Sequence, residues 1–413
     1  MTKTNINLIT YDEVLQELDK SKPNNHLLLG NGFNLSLGIK TDYTSIFKKM
    51  KENHEDYKLV NSDFLDLEQF IGACKSFIAK EGNPHYEFMC RFLHNKIKLD
   101  FMKAVTNIVT KEVRKIYQDK NEELYLLFRN FDNFFTLNYD PFLYQLLMSF
   151  KKEKEEEGLA FTNNLPFNPD LLDSHFNEIL KEVEIGYNSG IIIIKIAGVE
   201  TPLNLKMMSK AEFTTNMSKH LKDRISKNGL KRIVDFYWKK KKASENKRLD
   251  NLHDGFGLFG EENKLLFINQ YTQNLFFIHG AFHLVQDGKE IYKITQTSDK
   301  ALYQRIEEVV EDVDQNIICI FSDSNKEDEM VGNKYLKNGL LKLQQLEGVL
   351  LIIGSSLAEN DSHVFERISN SKIEKVFIAS LENNADEDYA KANKIFPNQE
   401  IVLFDRSTIS YVK

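Results

Sequence analysis

Cysteine and long apolar runs are scarce in this chain, and each scarcity excludes a class of structure. The three cysteines, Cys74, Cys90 and Cys319, are widely spaced and form no Cys-x-x-Cys pair, which argues against a disulfide framework and a structural zinc ribbon. Aliphatic runs such as Ile191 to Ile194 are far too short to cross a bilayer. The first 20 residues lack the apolar core of a signal peptide, so we expect a cytoplasmic protein with no membrane segment.

The composition is that of a folded protein. The 413 residues are 42% hydrophobic and 28% charged, which is enough for one large core with an insertion or for two domains. The formal net charge of −7 does not favour a general nucleic-acid-binding surface, although a local basic patch is compatible with it.

The most informative segment is an apolar run that ends in two glycines, Leu27-Leu28-Leu29-Gly30-Asn31-Gly32-Phe33-Asn34. Such a run is typical of a buried strand followed by a turn that holds phosphate, because glycine lets backbone N–H groups approach a pyrophosphate closely. The third glycine of the usual dinucleotide fingerprint is absent at the expected spacing. We expect backbone donors to phosphate at Gly30, Asn31, Gly32 and Phe33.

Three later apolar runs also end in polar or small residues. They are Phe134-Phe135-Thr136-Leu137-Asn138-Tyr139-Asp140, Leu275-Phe276-Phe277-Ile278-His279-Gly280 and Val349-Leu350-Leu351-Ile352-Ile353-Gly354-Ser355-Ser356. Continuous apolar runs fit strands that are buried on both faces, and ligands of open parallel sheets bind outside the carboxyl ends of the strands. We therefore expect the four strand ends to converge on one site.

The order of these motifs resembles the sirtuin superfamily. Members of that family carry a Gly-Ala-Gly turn, a Thr-Gln-Asn-Ile-Asp motif, a catalytic His followed by Gly, and a Gly-Thr/Ser-Ser strand end. The corresponding segments here are Gly30-Asn31-Gly32, Thr136-Leu137-Asn138-Tyr139-Asp140, His279-Gly280 and Gly354-Ser355-Ser356. The Asn-Tyr-Asp form of the second motif is similar to that of bacterial sirtuin-like proteins that hydrolyse NAD.

The resemblance implies roles for individual residues. Asn138 would bind the ribose hydroxyls and the attacking water, and His279 would act as general base with a pKa near the working pH. Asp140 would belong to the NAD-binding residues, and Gly354, Ser355 and Ser356 would close on the adenosine side. The residues alone allow simpler readings: a turn and a helix N-cap for Asn138 and Asp140, and a hydrogen-bonded histidine at a strand end for His279.

Three other segments resemble elements of the sirtuin-like proteins less closely. Gly38 with Asp42-Tyr43 stands for a Gly-x-x-Asp-Phe-Arg loop without its arginine, and Asp66-Leu67-Glu68 resembles an acidic element near the pocket of sirtuin-like NAD hydrolases. Asp361 and His363 also resemble an arrangement in such proteins. An exposed acid on an amphipathic helix accounts equally for residues 66–68, and helix capping is our preferred interpretation of Asp361.

No metal site is expected. His279 and His283 are spaced so that both side chains can face the same side of an extended chain. However, no cysteine or carboxylate is spaced to complete a set of ligands with them. NAD, as substrate, is therefore the only small molecule that the sequence suggests.

Alternating strand and helix patterns after His279 predict the fold class. We expect an α/β fold with a doubly wound, Rossmann-like parallel sheet of sirtuin type, interrupted by a large helical insertion. A hairpin with an Asp-Gly turn is predicted over 281–295. Later strands of the parallel sheet are predicted at 316–321, 349–353, 375–380 and 400–404.

The long interval between Asn138 and His279 indicates the insertion. Residues 1–150 and 274–413 would form the two parts of the NAD-binding domain, and residues 151–273 a mixed, basic insertion with a regulatory role. Between Lys231 and Arg248 the chain has eight basic and two acidic residues, together with Tyr237 and Trp238. This block suits either contact with a polyanion such as nucleic acid or a solvated helix face.

These features predict a sirtuin-like NAD glycohydrolase that yields nicotinamide and ADP-ribose. Water is the expected acceptor, because the family's deacylases carry a four-cysteine zinc module that this chain cannot supply. The resemblance further implies antiphage defence by NAD depletion, with activity controlled by the insertion, a homo-oligomer or an activating partner. Two alternatives stay open: an ADP-ribosyltransferase that uses the same site, and a catalytically idle sensor that binds NAD or ADP-ribose.

Overall fold

The computed structural model describes most of the chain in separate ranges. They are residues 7–20, 24–59, 83–150, 183–188, 191–196, 199–204, 208–221, 227–244, 249, 252–258, 265–268, 273–296, 300–311, 316–321 and 326–412. The Asp66-Leu67-Glu68 element lies outside these ranges. The described chain divides into two compact units, Met1–Leu147 with Leu252–Lys413 and, separately, Met148–Asn251.

The larger unit begins with helices and two strands whose ends are set by local capping. In chain order these are α1 Tyr11–Lys20, β1 Asn25–Leu29, α2 Asn31–Ser36, α3 Tyr43–Asn53, α4 Pro84–Phe128 and β2 Asn133–Thr136. Asp42 caps α3 by accepting from the Ser45 N–H at 2.9 Å. Proline at the first position of α4 fits the helix start, and the long helix departs from helical angles at Lys120. Residues 142–150 are again helical.

The smaller unit combines a short sheet with two helices. Its elements are β3 Val183–Asn188, β4 Ile191–Ile196, β5 Val199–Asn204, α5 Lys210–Leu221 and α6 Lys227–Ser244. The three strands are antiparallel, in the order β3-β4-β5. Strands thus accompany the two helices in this part of the chain.

Aromatic residues of the basic block belong to the core of the smaller unit. Tyr237 is buried, and Trp238 packs against the same cluster with its ring 6.3 Å from that of Phe213. This position matches a packed aromatic pair more closely than rings presented to stack on bases. The side chains of residues 239–242 and 245–248 lie outside the described part of the chain.

The second part of the larger unit alternates strands and helices. Its elements are β6 Phe256–Leu258, β7 Leu265–Phe267, β8 Leu275–Phe277, β9 Gly280–Asp287, β10 Glu290–Lys293, α7 Leu302–Glu311, β11 Asn316–Cys319, α8 Lys326–Gly332, α9 Lys334–Gln344, β12 Glu347–Ile353, α10 Ser362–Ser369, β13 Lys372–Ser380, α11 Ala385–Ile395 and β14 Glu400–Asp405. Short 3₁₀ helices occur at Glu55–Leu59, Glu359–Asp361, Glu382–Asn384 and Arg406–Thr408.

A six-stranded sheet forms the centre of the larger unit. Its order is β14-β13-β12-β1-β2-β8, and every neighbouring pair is parallel. All five residues of β1 are buried, as expected for an apolar strand covered on both faces. The expectation of a mixed α/β fold with a Rossmann-like parallel sheet is confirmed. The chain extends from β1 to β2 on one side and joins β12 on the other, and such switch points are where open α/β sheets bind ligands.

A second, antiparallel sheet in this unit changes one strand assignment. Its order is β11-β9-β10-β7-β6, and the predicted hairpin is confirmed as β9 and β10. Strand β11 forms where expected, but it pairs antiparallel with β9 instead of joining the parallel sheet, so that part of the prediction is wrong. The close approach is made at Gly280, which has φ of 82° and where a Cβ would lie 2.0 Å from the Ile318 carbonyl oxygen.

Aromatic side chains fill much of the core around the parallel sheet. Phe135 and Phe276 stack across β2 and β8 with ring centroids 5.0 Å apart, and Phe33 meets Phe128 edge to face. These geometries are the preferred ones for aromatic pairs. Across the described ranges, none of the helices has the length and apolar character that a membrane crossing requires.

A buried ion pair joins the two ends at which the chain leaves and re-enters the larger unit. Lys293 Nζ contacts the Asp254 carboxylate, and both side chains are less than 10% exposed. The same ammonium lies 4.6 Å from the centre of the Tyr144 ring, which stacks on His283. Tyr144 lies just before the exit and Asp254 just after the return, so one lysine on β10 holds both ends.

The Lys293→Met variant tests the strength of this junction. We expect a loss of about 3 to 5 kcal/mol in the free energy of unfolding, because Asp254 would be left buried without its cation. Replacing both partners, as Lys293→Met with Asp254→Leu, should recover most of the loss. Urea unfolding followed by circular dichroism measures both values.

The exposed Lys289→Met variant, at the turn between β9 and β10, is the matched control. Its free energy of unfolding should stay within about 0.5 kcal/mol of the parent. If Lys293→Met cost no more than this control, the ion pair would not hold the junction.

Candidate functional site

A cavity of about 690 Å³ opens at the carboxyl edge of the parallel sheet. Small-molecule and cofactor sites generally occupy roughly 300 to 1,000 Å³. The residues predicted from the sequence that line it are Gly30, Asn31, Gly32, Asn138, Asp140, His279, Gly354, Ser355 and Ser356. The structure thus brings the four strand ends together at one cavity.

Phe33 is the exception among the predicted residues. Its ring is 1% exposed and packs against Phe142 and Tyr411. Its N–H donates to the Gly30 carbonyl oxygen at 3.0 Å. Phe33 is therefore a core residue whose amide already has an acceptor, and its expected role as a phosphate donor is wrong.

The glycine turn after β1 packs directly against the turn after β12. Gly30 N–H donates to the Ile353 carbonyl at 2.9 Å, and Gly32 N–H donates to the Gly354 carbonyl at 2.8 Å. A Cβ on Gly30 would lie 2.5 Å from the Gly354 oxygen, and one on Gly354 would lie 2.1 Å from the Phe33 nitrogen. The glycines are needed for this contact between two backbones.

This packing corrects the expected phosphate site. The Gly30 and Gly32 amides donate to carbonyl oxygens of the neighbouring strand and turn, so neither is directed at a ligand in this structure. Asn31 is the first residue of α2, a position where an amide has no acceptor within its own helix. Its side chain is fixed by Thr41, whose hydroxyl donates to Asn31 Oδ1 at 2.6 Å. Of the four predicted backbone donors, Asn31 is the one suited to a phosphate.

Asn138 is fixed by a chain of side-chain hydrogen bonds. Its Nδ2 donates to Asn34 Oδ1 at 3.2 Å and to the Gly30 carbonyl at 3.5 Å. Asn34 Nδ2 in turn donates to Asp140 Oδ2 at 2.9 Å. Because the amide donors of Asn138 point to these acceptors, its Oδ1 is the atom suited to accept a hydrogen bond from a hydroxyl or a water.

Asn34 is a site residue that the sequence motifs did not reveal. It is buried, and it connects the turn after β1 to the loop after β2. Its position one helical turn after Asn31 was the available signal, since residues three apart share a helix face.

Asp140 has the predicted capping role and a second role. Its Oδ1 accepts from the Phe142 N–H at 2.9 Å, which confirms the N-cap of the helix at 142–150. Its other oxygen accepts from Asn34. Burial raises the pKa of the Asp140 carboxyl, and the two hydrogen bonds oppose that rise.

His279 lines the same cavity and lies directly before β9. Its side chain is 2% exposed, and Nε2 lies 3.2 Å from His363 Nε2 and 3.6 Å from Asp361 Oδ1. Burial, the charge of Lys326 and the neighbouring His363 lower the pKa of His279 well below its ordinary value, against a hydrogen bond to the Leu137 backbone. This direction departs from the expected pKa near the working pH, and it favours the neutral imidazole.

Asp361 does not cap α10 as preferred from the sequence. Its side chain makes no capping hydrogen bond, and Oδ1 instead lies 3.4 Å from Lys326 Nζ. Burial raises the pKa of the Asp361 carboxyl, and Lys326 opposes this rise. Lys326, with a 4% exposed side chain, was missed because it follows a polar segment without periodicity.

His283 does not share the site with His279. Its ring is buried between Tyr144 and Phe277, with centroids 4.9 Å from each. Within the ranges that the structure describes, no cluster of three or more histidine, cysteine or acidic side chains is arranged for a metal ion. The residues expected to replace the family's Gly-x-x-Asp-Phe-Arg loop have separate positions: Asp42 caps α3, and Tyr43 lines the cavity.

Gly354→Ala tests the contact between the two turns. Because Gly354 has φ of 74° and its Cβ would meet the Phe33 nitrogen, we expect a loss of at least about 2 kcal/mol in unfolding free energy. Gly332→Ala, at a position where a Cβ meets open space, is the control and should be nearly neutral. Equal stability of the two variants in urea titrations would refute the contact.

Comparison with known proteins gives one partial match. A family described as a domain of unknown function (DUF4917) matches residues 219–402. This range contains His279 and the Gly354 turn, whereas the Gly30 turn and Asn138 lie outside it. No curated protein matches the chain. The chain is thus similar over this range to a family with no assigned activity.

Proposed function

We propose that the chain is a sirtuin-like NAD glycohydrolase that converts NAD and water to nicotinamide and ADP-ribose. One observation carries the proposal: the Gly30 turn, Asn138, His279 and the Gly354 turn line a single cavity at the carboxyl edge of a parallel sheet. These motifs also follow one another in the order found in sirtuin-like proteins. The motif order and the shared cavity both support the proposal.

The reaction breaks the bond between C1′ of the ribose and the nicotinamide nitrogen. Nicotinamide leaves with the electron pair of that bond, positive charge develops on the ribose, and a water oxygen forms the new bond to C1′. The water must lose a proton. In this proposal His279, which lines the cavity, takes it, and general bases typically contribute about 10²- to 10⁴-fold.

Asn138 orients the reacting groups in this proposal. Its donors are held by Asn34 and Gly30, so Oδ1 accepts from a ribose hydroxyl or from the attacking water. A fixed amide holds that partner without reorganising during the reaction, which is the benefit of a preorganised site. Carboxylates at Asp140 and Asp361 add negative potential at the wall of the cavity, where the ribose charge develops.

The rest of the dinucleotide has complementary groups along the cavity. The Asn31 N–H and the Arg406 side chain would contact phosphate oxygens, and Lys391, which pairs with Glu387 at 2.7 Å, adds positive charge at the same cavity. Ser355 and Ser356, beyond the central turn, would contact the adenosine ribose. The resemblance to bacterial NAD hydrolases extends the proposal to antiphage defence, with the smaller unit or an oligomer as the control on activity.

Asn138→Ala and His279→Ala test the proposed chemistry. Each should lower NAD turnover by about two orders of magnitude or more, because the nucleophile loses its orientation or its base. Nicotinamide and ADP-ribose are separated by chromatography after incubation with NAD and no added metal. Thermal denaturation shows whether each variant is still folded.

The exposed residues His85 and Asn398 supply matched controls. His85→Ala and Asn398→Ala should cleave NAD at the parental rate. Full NAD cleavage by both site variants would place the reaction elsewhere, and ADP-ribose attached to a macromolecule instead of free ADP-ribose would identify a transferase.

A sensor that binds NAD without cleaving it is the second candidate. The specific observation in its favour is that His279 is 2% exposed with Nε2 directed at His363, so the proton-accepting atom is engaged in this structure. Calorimetric binding of NAD without any product would favour the sensor.

A further inference from the structure

Lys326 is a buried lysine that lies next to Asp361, and Asp361 in turn lies next to the candidate base, His279. Its ammonium lies 3.4 Å from Asp361 Oδ1, and the same oxygen lies 3.6 Å from His279 Nε2. One carboxylate oxygen is therefore shared between an ammonium and an imidazole. All three side chains line the cavity.

We infer that Lys326 is a positioning residue, which keeps Asp361 ionised next to His279 so that the carboxylate stabilises the imidazolium formed when His279 accepts a proton. The catalytic role of Lys326 in this inference depends on the proposed NAD hydrolysis. The substrate need not touch Lys326, since the lysine acts through Asp361. Neither the motif resemblance nor the family match assigns a role to this residue.

The physical need for such a lysine follows from burial. A carboxyl group away from water favours its neutral form, and a neutral acid would not stabilise a neighbouring imidazolium. A buried ammonium at hydrogen-bonding distance opposes this effect of burial and favours the ionised form. The same positive charge lowers the pKa of His279 directly, so it opposes part of the stabilisation that the Asp361 carboxylate gives the imidazolium.

Other charged and titratable groups surround this set. His363 on α10 faces His279 Nε2, and the ring of Tyr139 lies 6.1 Å from the His279 ring. Burial and the charge of Lys326 lower the pKa of His363 to about 4. Of the smaller influences, Glu327 raises this pKa and Arg367 lowers it further. Among the residues that the structure describes, Lys326 is the group whose charge affects the pKa values of Asp361, His279 and His363 together.

Lys326→Met tests the inference through the pH dependence of NAD cleavage. The rate requires neutral His279 and ionised Asp361, so it falls as pH drops through either pKa. Removing the lysine raises both pKa values, and the acid limb of the kcat/KM profile should move to higher pH by about one unit. Lys326→Arg, which keeps the charge, should leave the limb in place.

A second readout does not depend on activity. The titration midpoint of His363, followed by NMR of ¹³C-labelled histidine and assigned with His363→Ala, should rise by about one unit in Lys326→Met. Lys337→Met, on the exposed face of α9, is the control and should change neither the midpoint nor the profile.

The outcomes separate this inference from the proposed function. A uniform fall in rate at every pH, with the His363 midpoint unmoved, would overturn the positioning role. A shifted midpoint in a protein that never cleaves NAD would support the charge arrangement and reject the glycohydrolase. If Lys326→Met does not fold, Asp361→Asn gives the test from the other side: the acid limb should move to lower pH and the plateau rate should fall.

Discussion

The candidate site depends on one backbone contact, the packing of the turn after β1 against the turn after β12. Gly30 and Gly32 approach Gly354 more closely than any side chain would allow. Because β1 and β12 are neighbours at the switch point of the sheet, this contact fixes the floor of the cavity. Asn34 then transmits the position of the first turn to Asn138 and Asp140. The glycines of this turn are therefore required for the packing of two backbones, and not only for an approach to phosphate.

Around His279 the cavity is lined by charged and titratable side chains instead of by packed backbone turns. Lys326, Asp361, His363 and His279 come from separate elements and form one buried cluster of close charged and titratable side chains. Desolvation keeps the two histidines neutral, while the lysine and the carboxylate compensate each other. The cavity thus combines a chain of fixed hydrogen bonds from Asn138 through Asn34 to Asp140 with the cluster of titratable side chains around His279.

The sequence predicts the parts of this structure that depend on local pattern. Apolar runs ending in glycine or polar residues identify β1, β2, β8 and β12, and the Asp-Gly turn identifies the hairpin. Pairing is harder to predict: β11 has a strand pattern, but its neighbour is decided by the bend at Gly280. Contacts between charged residues that are distant in the sequence are the hardest to predict. Lys326 and Asp361 are far apart in the chain, so Asp361 had the appearance of a helix cap.

The ion pair between Lys293 and Asp254 has a consequence for how the chain is assembled. The Lys293 ammonium contacts both Tyr144 and Asp254, so the chain leaves and re-enters the larger unit at nearly the same place. A segment that departs from and returns to one fixed point can be lengthened, shortened or exchanged without altering the register of the parallel sheet. The smaller unit, Met148–Asn251, therefore occupies a position in the chain where evolution can change it while the cavity above β1 keeps its shape.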